Sequence, residues 1–118
     1  MNRKDKFVEW NAVKHFLNKA YAYKENVVVF GKGESREHAL KKCEICWELG
    51  QMGVRFVTEA RFVDNKGRAD ILVLSPPGCA IEITASEPKW SIDLKRTRYP
   101  VAILSIGLNE PFRADLVR

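Results

Sequence analysis

Apolar positions along the chain follow helical spacing at first, then strand spacing, and this change predicts the order of elements. From residue 6 to residue 22, apolar residues recur at steps of three and four, which predicts an amphipathic helix. Residues 26–30 (NVVVF) predict a short strand or an extended segment. A second helix is predicted from an N-cap at Ser35 to about Leu49, because glycines follow it.

The middle of the chain predicts an antiparallel meander, since short apolar runs alternate with turns rich in Pro, Gly and Asn. A third helix and a last buried strand follow it. The predicted strands and helix are residues 54–62, 68–74, 79–84, 89–99 and 101–106.

Alternation along the three meander strands predicts which side chains share a face. In the first strand one face carries Phe56, Thr58, Ala60 and Phe62. In the second it carries Asp70, Leu72 and Leu74, and in the third Ala80, Glu82 and Thr84.

Two carboxylates interrupt the apolar hairpin of the second and third strands. Asp70 opens one strand and Glu82 lies inside the next. A charge in a buried strand is costly unless a cation or hydrogen bonds compensate it. Carboxylate oxygens are ligands that Mg²⁺ prefers, so the pair predicts a divalent-cation site. The alternative is structural, in which Asp70 caps its turn or pairs with Arg61 or Arg68.

Composition describes an ordinary globular chain with a basic balance. The 118 residues are 46% hydrophobic and 30% charged, which predicts one domain. A net charge of +5 favours a polyanionic partner such as nucleic acid. The chain has no apolar run of about 20 residues and no signal-peptide pattern, which predicts a cytoplasmic protein without a membrane span.

Two motifs that attract a functional interpretation are incomplete. Cys43 and Cys46 form a C-x-x-C inside a predicted helix without a second pair, so they are interpreted as buried apolar residues and not as a zinc or redox site. The Gly31-Lys32-Gly33 segment lacks the further residues of a phosphate-binding loop and is interpreted as a linker.

The order of these elements resembles the PD-(D/E)xK nuclease superfamily. The resemblance covers about residues 34–106 and rests on a helix with Glu37, then Gly67-Arg68-Ala69-Asp70, then Ala80-Ile81-Glu82-Ile83-Thr84. It implies an α/β (α+β) fold with a restriction-endonuclease-like αβββαβ core, in which helices flank a mixed sheet. Residues 1–118 are then one nuclease-like domain with a helical N-terminal extension over about residues 1–30.

The resemblance also implies the chemistry of the site. Asp70, Glu82 and Glu37 correspond to the metal ligands, and the ion is Mg²⁺ or Mn²⁺. The family lysine should stand two residues after Glu82, where this chain has Thr84, whose hydroxyl cannot carry a positive charge. Lys41, one turn after Glu37, is the preferred substitute, and Lys89 is the other.

The function implied is a metal-dependent nuclease that hydrolyses DNA phosphodiesters, with homodimer formation left open. The alternatives are a catalytically inactive module of the same fold that binds nucleic acid or a protein partner, and a structural protein whose acids pair with arginines. The residues predicted to contact phosphates are Arg36, Lys42, Arg61, Arg68, Lys95, Arg96 and Arg98.

Overall fold

The structure is a computed structural model that describes residues 3–85 and 87–117, with all their side chains except those of residues 5–9, 12, 114 and 116. Its class is α+β, with three helices and four strands within these ranges. In chain order the elements are α1 Arg3–Lys14, α2 Arg36–Gln51, β1 Phe56–Arg61, β2 Arg68–Val73, β3 Cys79–Thr84, α3 Lys89–Arg98 and β4 Ala102–Gly107.

The four strands form one mixed sheet in the order β1-β2-β3-β4. The first three strands are antiparallel neighbours, and β4 lies parallel to β3 with Glu82 opposite Ser105. A parallel pair needs a crossover connection, and α3 supplies it. The predicted meander, the third helix and the final strand are therefore confirmed.

Two hydrophobic clusters pack on opposite faces of the sheet. Neighbouring residues of β2 divide between them, so that Leu72 joins one cluster and Ile71 the other. The first cluster receives Val13 from α1 and Tyr99 from the end of α3. The second lies under α2, which contributes Ile45, Cys46 and Leu49. Cys46 is therefore buried apolar surface, as its helical setting predicted.

The predicted alternation in β1 is wrong beyond Thr58. Phe56 packs in the cluster under α2, but Ala60 and Phe62 pack in the other cluster. The reason is Glu59, whose φ of 51° lies in the left-handed region and turns the strand by one position. The alternation of faces therefore holds before Glu59 and again after it, but it shifts by one residue at Glu59.

The first predicted helix is too long at its C-terminal end. It ends at Lys14. The amides of Phe16 and Leu17 still donate to the carbonyls of Val13 and Lys14, but the chain after them binds the end of β1. The amide of Asn18 donates to the carbonyl of Arg61, and Val63 donates to Phe16. Leu17 and Phe62 form an antiparallel bridge.

The segment 26–30 is not a strand: Asn26 lies in a turn, with a φ of 55°, and residues 27–30 have no regular secondary structure. It follows the free edge of β1, where the Thr58 hydroxyl donates to the carbonyl of Val27 and accepts from the amide of Val29. This side-chain contact covers part of an edge that would otherwise expose unpaired backbone groups. Within the described ranges, no helix is both long and apolar enough to cross a bilayer.

Candidate active site

Asp70 and Glu82 meet where the sheet is interrupted. The rung that would pair Glu59 with Asp70 is missing from the β1–β2 ladder. The amide of Asp70 donates to Glu82 Oε2 at 3.0 Å, and the amide of Ile83 donates to Asp70 Oδ2 at 2.9 Å. Each carboxylate thus binds a backbone amide of the neighbouring strand, which fixes the pair in place.

Glu82 is the more deeply buried of the two acids, with 2% of its surface exposed. Burial and the nearby charge of Asp70 raise the pKa of Glu82 above its ordinary value. The Tyr99 hydroxyl lies 2.5 Å from Glu82 Oε1 and 2.8 Å from the carbonyl of Arg68. A hydroxyl has one proton, so it can donate to only one of these oxygens. Both contacts are hydrogen bonds when Glu82 itself carries a proton.

Lys95 supplies the cation of this site from α3. Its Nζ lies 3.3 Å from Glu82 Oε1 and 3.5 Å from Glu87, and its side chain is 34% exposed. Partial burial lowers the pKa of Lys95, but the charges of Glu82 and Glu87 outweigh burial and raise it overall. The ammonium group therefore stays charged beside the acid pair.

His38 reaches the site from the first turn of α2. Its Nε2 lies 3.3 Å from Asp70 Oδ2, and its Nδ1 contacts Glu34. Ser35 is the N-cap of α2, as predicted, and its hydroxyl accepts from the amide of His38. The cap therefore fixes the start of the helix that presents the imidazole to Asp70.

A second charge network lies beside the acid pair, around a lysine that is sealed from water. Lys42 is 0% exposed and lies 2.7 Å from Glu59 Oε1, 3.0 Å from Glu34 and 3.1 Å from the carbonyl of Val29. Burial lowers the pKa of Lys42, but its two carboxylate partners raise it overall. Burial raises the pKa of Glu34, but the hydrogen bonds from Lys42, the Gly31 amide and His38 and the charge of Lys42 together outweigh burial and leave that pKa lowered.

Glu59 joins this network to the open surface. Its Oε2 lies 2.8 Å from Arg68 Nε, yet it is buried and accepts no hydrogen bond among the described residues. The charges are close, but the guanidinium N–H does not point at the oxygen. The Arg68 side chain remains 43% exposed at the rim.

The two networks line one cleft of about 290 Å³. Acids form its floor, and Lys32, Arg68 and Lys95 add positive charge along its wall. Its lining residues are Gly31, Lys32, Gly33, Glu34, Ser35, His38, Glu59, Arg68, Asp70, Glu82, Ile83, Glu87 and Lys95. Such a cleft can hold a cation at the carboxylates and an anion at the basic wall.

The structure does not bring Glu37 and Lys41 to this cleft. They line a separate depression with Glu44, and Lys41 donates to the carbonyl of Glu110. The reason is the phase of α2. Successive helical residues are rotated by about 100°, so positions 38 and 42 face the sheet while 37 and 41 face away from the cleft.

Lys89 is not at the cleft either. It is the first residue of α3, is exposed and does not line the cavity. The lysine that lies beside the acid pair is therefore Lys95, and not Lys41 or Lys89 as predicted. A signal for it exists in the sequence, because Ile92, Lys95 and Tyr99 follow helical spacing on the face that packs against the sheet.

The predicted phosphate contacts divide into three groups. Lys42 cannot contact phosphate, because its side chain is fully buried. Arg61 and Arg96 have protein partners, since Arg61 lies over the Tyr21 ring at 4.8 Å and Arg96 donates to the carbonyl of Ile103 at 3.0 Å. The third group is Arg36, Arg68, Lys95 and Arg98, which keep exposed surface for a ligand, although Arg68 and Lys95 are also paired with carboxylates of the cleft.

The donor set fits a hydrated divalent cation and not a closed protein cage. Within residues 3–85 and 87–117, no three His, Cys, Asp or Glu side chains converge as a metal-binding group. Mg²⁺ needs only one or two carboxylates, because it keeps several waters and binds substrate phosphates. Asp70 and Glu82 supply two such carboxylates, and a cation between them would offset the Asp70 charge, which together with burial raises the pKa of Glu82.

Comparisons of the chain with protein-family models, with curated proteins and with solved structures found no match. Its function is therefore inferred from its own residues and their geometry.

Proposed function

We propose that the chain is a metal-dependent nuclease of the PD-(D/E)xK type that hydrolyses phosphodiesters in DNA. The observation that carries the proposal is the contact of Lys95 with Glu82, beside Asp70. Two acids on adjacent strands and one lysine then meet in one cleft. The order of helix, three antiparallel strands, helix and parallel strand agrees with the core that this family implies.

Asp70 and Glu82 would hold Mg²⁺ or Mn²⁺ through their oxygens, as the family resemblance implies. When bound, such an ion lowers the pKa of a bound water and stabilises negative charge on phosphate oxygens. The pair is already positioned by backbone amides, so binding requires little rearrangement of the strands. His38 orients Asp70 through the contact of its Nε2 with Oδ2.

Lys95 replaces the lysine that Thr84 cannot supply. Its Nζ is fixed near Glu82, and its raised pKa keeps it protonated at neutral pH. A fixed positive charge at the reacting phosphate stabilises the charge that develops there during hydrolysis. Arg68 and Lys32 stand on the wall of the same cleft, where they can bind the flanking phosphates.

A second candidate function is an inactive module that binds nucleic acid. The observation that favours it is that both oxygens of Glu82 already have protein partners. Oε2 accepts from the Asp70 amide, and Oε1 lies against Tyr99 and Lys95. A carboxylate held in this way by protein donors can be a structural element of a binding surface. The two candidates differ in whether added metal produces cleavage.

The test is to incubate the protein with labelled single-stranded, duplex and branched DNA, in Mg²⁺, in Mn²⁺ and in EDTA. We expect metal-dependent cleavage that Asp70→Asn abolishes. Lys95→Ala should lower the rate by about 100- to 1000-fold, the usual loss for a group that stabilises transition-state charge. Lys89→Ala is the matched control, since it removes an exposed lysine of the same helix outside the cleft, and it should retain activity.

Equal rates in Lys95→Ala and Lys89→Ala would overturn the role of Lys95. DNA binding without cleavage in either metal would overturn the nuclease and favour the inactive module. Circular dichroism of each variant separates loss of activity from loss of the fold.

A further inference from the structure

Two tryptophans are exposed to almost the same degree on different helices. Trp47 on α2 is 66% exposed, and Trp90 on α3 is 68% exposed. A tryptophan offers a large apolar face that is usually buried or covered by a partner. The surroundings of the two indoles differ in charge, and this difference indicates which partner each could accept.

Helix α3, which carries Trp90, is basic overall and leads to the cleft, and its one acid, Asp93, is exposed one turn from the indole. Helix α3 has the sequence KWSIDLKRTR, in which four residues are basic and one is acidic. With about 100° per residue, Leu94 and Arg98 lie about 40° and 80° from Trp90, and Lys95 lies about 140° from it. Leu94 is 42% exposed and Arg98 is exposed. The helix surface therefore runs from the indole, past Leu94 and Arg98, to the lysine of the cleft.

The surface around Trp47 is acidic. Glu44 and Glu48 lie within one turn of it on α2, Glu44 exposed and Glu48 half-buried, and Glu37 is exposed at the start of the same helix. The lysine of that stripe, Lys41, is buried and bound to the Glu110 carbonyl. This face repels a polyanion, so its tryptophan serves as an internal reference for the one on α3.

We propose that the face of α3 formed by Trp90, Leu94 and Arg98 binds a single-stranded segment of nucleic acid, with an unpaired base stacked on Trp90. The inference rests on the proposed function and names the form of its substrate. Arg98 contacts a backbone phosphate, and the strand continues towards Lys95 in the cleft. Positive charge with an exposed aromatic ring is the combination that single-stranded segments recognise.

The form of the ligand follows from the indole. Inside a duplex both faces of each base are covered by neighbouring base pairs, so an outside ring has no face to stack on. An unpaired base offers that face, and stacking on it tolerates any sequence. A second copy of this chain is disfavoured as the occupant, because two basic α3 faces would repel one another.

The experiment measures binding without requiring cleavage. Fluorescence anisotropy with a labelled oligothymidylate of about 12 nucleotides is recorded in EDTA, for the full chain and its variants, and with a blunt duplex of equal length. We expect Trp90→Ala to weaken single-strand binding by about fivefold or more, the usual effect of losing one stacked base. Trp90→Phe keeps a ring and should retain most of the affinity.

Trp47→Ala is the matched control and should leave the affinity unchanged. Equal weakening in Trp47→Ala and Trp90→Ala, or none in Trp90→Ala, would overturn the inference. So would duplex binding as tight as single-strand binding. A concentration-dependent dimer that Trp90→Ala dissociates would also overturn it, because the face would then be an interface between copies.

The two proposals can fail separately. Single-strand binding that depends on Trp90 but gives no cleavage in any metal supports the inference and overturns the nuclease. Metal-dependent cleavage whose KM for single-stranded substrate is unchanged in Trp90→Ala supports the nuclease and overturns the inference.

Discussion

Lys42 and Lys95 both contact carboxylates of the same cleft, yet they occupy opposite environments. Lys42 is sealed under the sheet edge between Glu34 and Glu59, and its third donor contact is a backbone carbonyl. Lys95 is one-third exposed, and its two carboxylate partners are the buried Glu82 and the exposed Glu87. One cation is enclosed by the protein, and the other faces whatever enters the cleft.

The difference shows how the fold separates stability from chemistry. Lys42 neutralises two acids that would otherwise repel each other and Asp70. With those acids paired, the open side of the cleft contains Asp70, Glu82 and Lys95. Lys42, whose ammonium donors are all bound to protein oxygens, therefore stabilises the fold. Lys95, which solvent reaches, is free to meet a ligand as well.

The largest expected effect comes from Lys42→Met. The change keeps the length of the side chain but leaves Glu34 and Glu59 buried without their cation, which should lower the free energy of unfolding by about 3–5 kcal/mol. Urea unfolding followed by circular dichroism measures it. Lys95→Met is the matched control and should lose less than about 1 kcal/mol, because its pairs are partly solvated. Similar losses of unfolding free energy in Lys42→Met and Lys95→Met would contradict the view that Lys42 stabilises the fold and Lys95 does not.

A smaller effect is expected at Gly67, which supports the α3 side of the cleft. Its φ is 126°, and an added Cβ would lie 2.5 Å from Tyr99 Cε1. Gly67→Ala should therefore lower the free energy of unfolding by about 3 kcal/mol, from backbone strain and from displacement of the Tyr99 ring. Thermal unfolding and near-UV circular dichroism measure the two effects.

Gly33→Ala is the control for Gly67→Ala. Its φ of 78° is also positive, but no atom lies within 4 Å of the added Cβ. It should lose about 1 kcal/mol, the backbone cost alone. A loss at Gly33 as large as that at Gly67 would show that the Tyr99 contact does not matter.

The smallest effect is the pH dependence of stability that comes from the ion pairs of Lys42 with Glu34 and Glu59. The pKa of Glu34 is lowered in the folded chain, so its contribution to stability is present above its ordinary pKa and is lost as pH falls through the lowered one. Glu34→Gln should be less stable than the wild type at pH 7, and the difference should close in strong acid. Urea midpoints recorded from pH 7 to pH 2 measure it.

Glu37→Gln is the control for this pH series, since Glu37 is exposed on the same helix outside the network. Its free energy of unfolding at pH 7 should stay within about 0.5 kcal/mol of the wild type, as is usual for an exposed position. A pH-independent offset in Glu34→Gln would contradict the assignment of Glu34 to an ion pair with Lys42.

The sequence predicted the elements that local patterns determine. The third strand has the predicted bounds, Cys79–Thr84, and Ser35 caps α2 as expected. Asp70 and Glu82 were identified because a charge inside an apolar strand is conspicuous in the sequence. They are only 12 residues apart and lie on the two strands of one hairpin, so their proximity follows from local pairing.

The partners of the acid pair depend on helix docking, which the sequence does not determine. Glu37 and Lys41 were chosen from one polar stripe of α2, but His38 and Lys42 continue the apolar stripe of Ile45 and Leu49 towards the N-terminus. Polar residues on the buried stripe of a helix were the available signal. Nothing in the strand pattern indicates the positive φ at Glu59, so its place in the cleft could not be predicted.

The connection between β3 and β4 has a consequence for the order in which the cleft forms during folding. Asp70 and Glu82 come from a hairpin, whose short loop closes at low entropic cost, whereas Lys95 arrives only when the α3 crossover docks and β4 pairs in parallel. Pairings that join distant parts of a chain form late. We expect the acid pair to exist first, without its cation, and the cleft to become complete in the last step of folding.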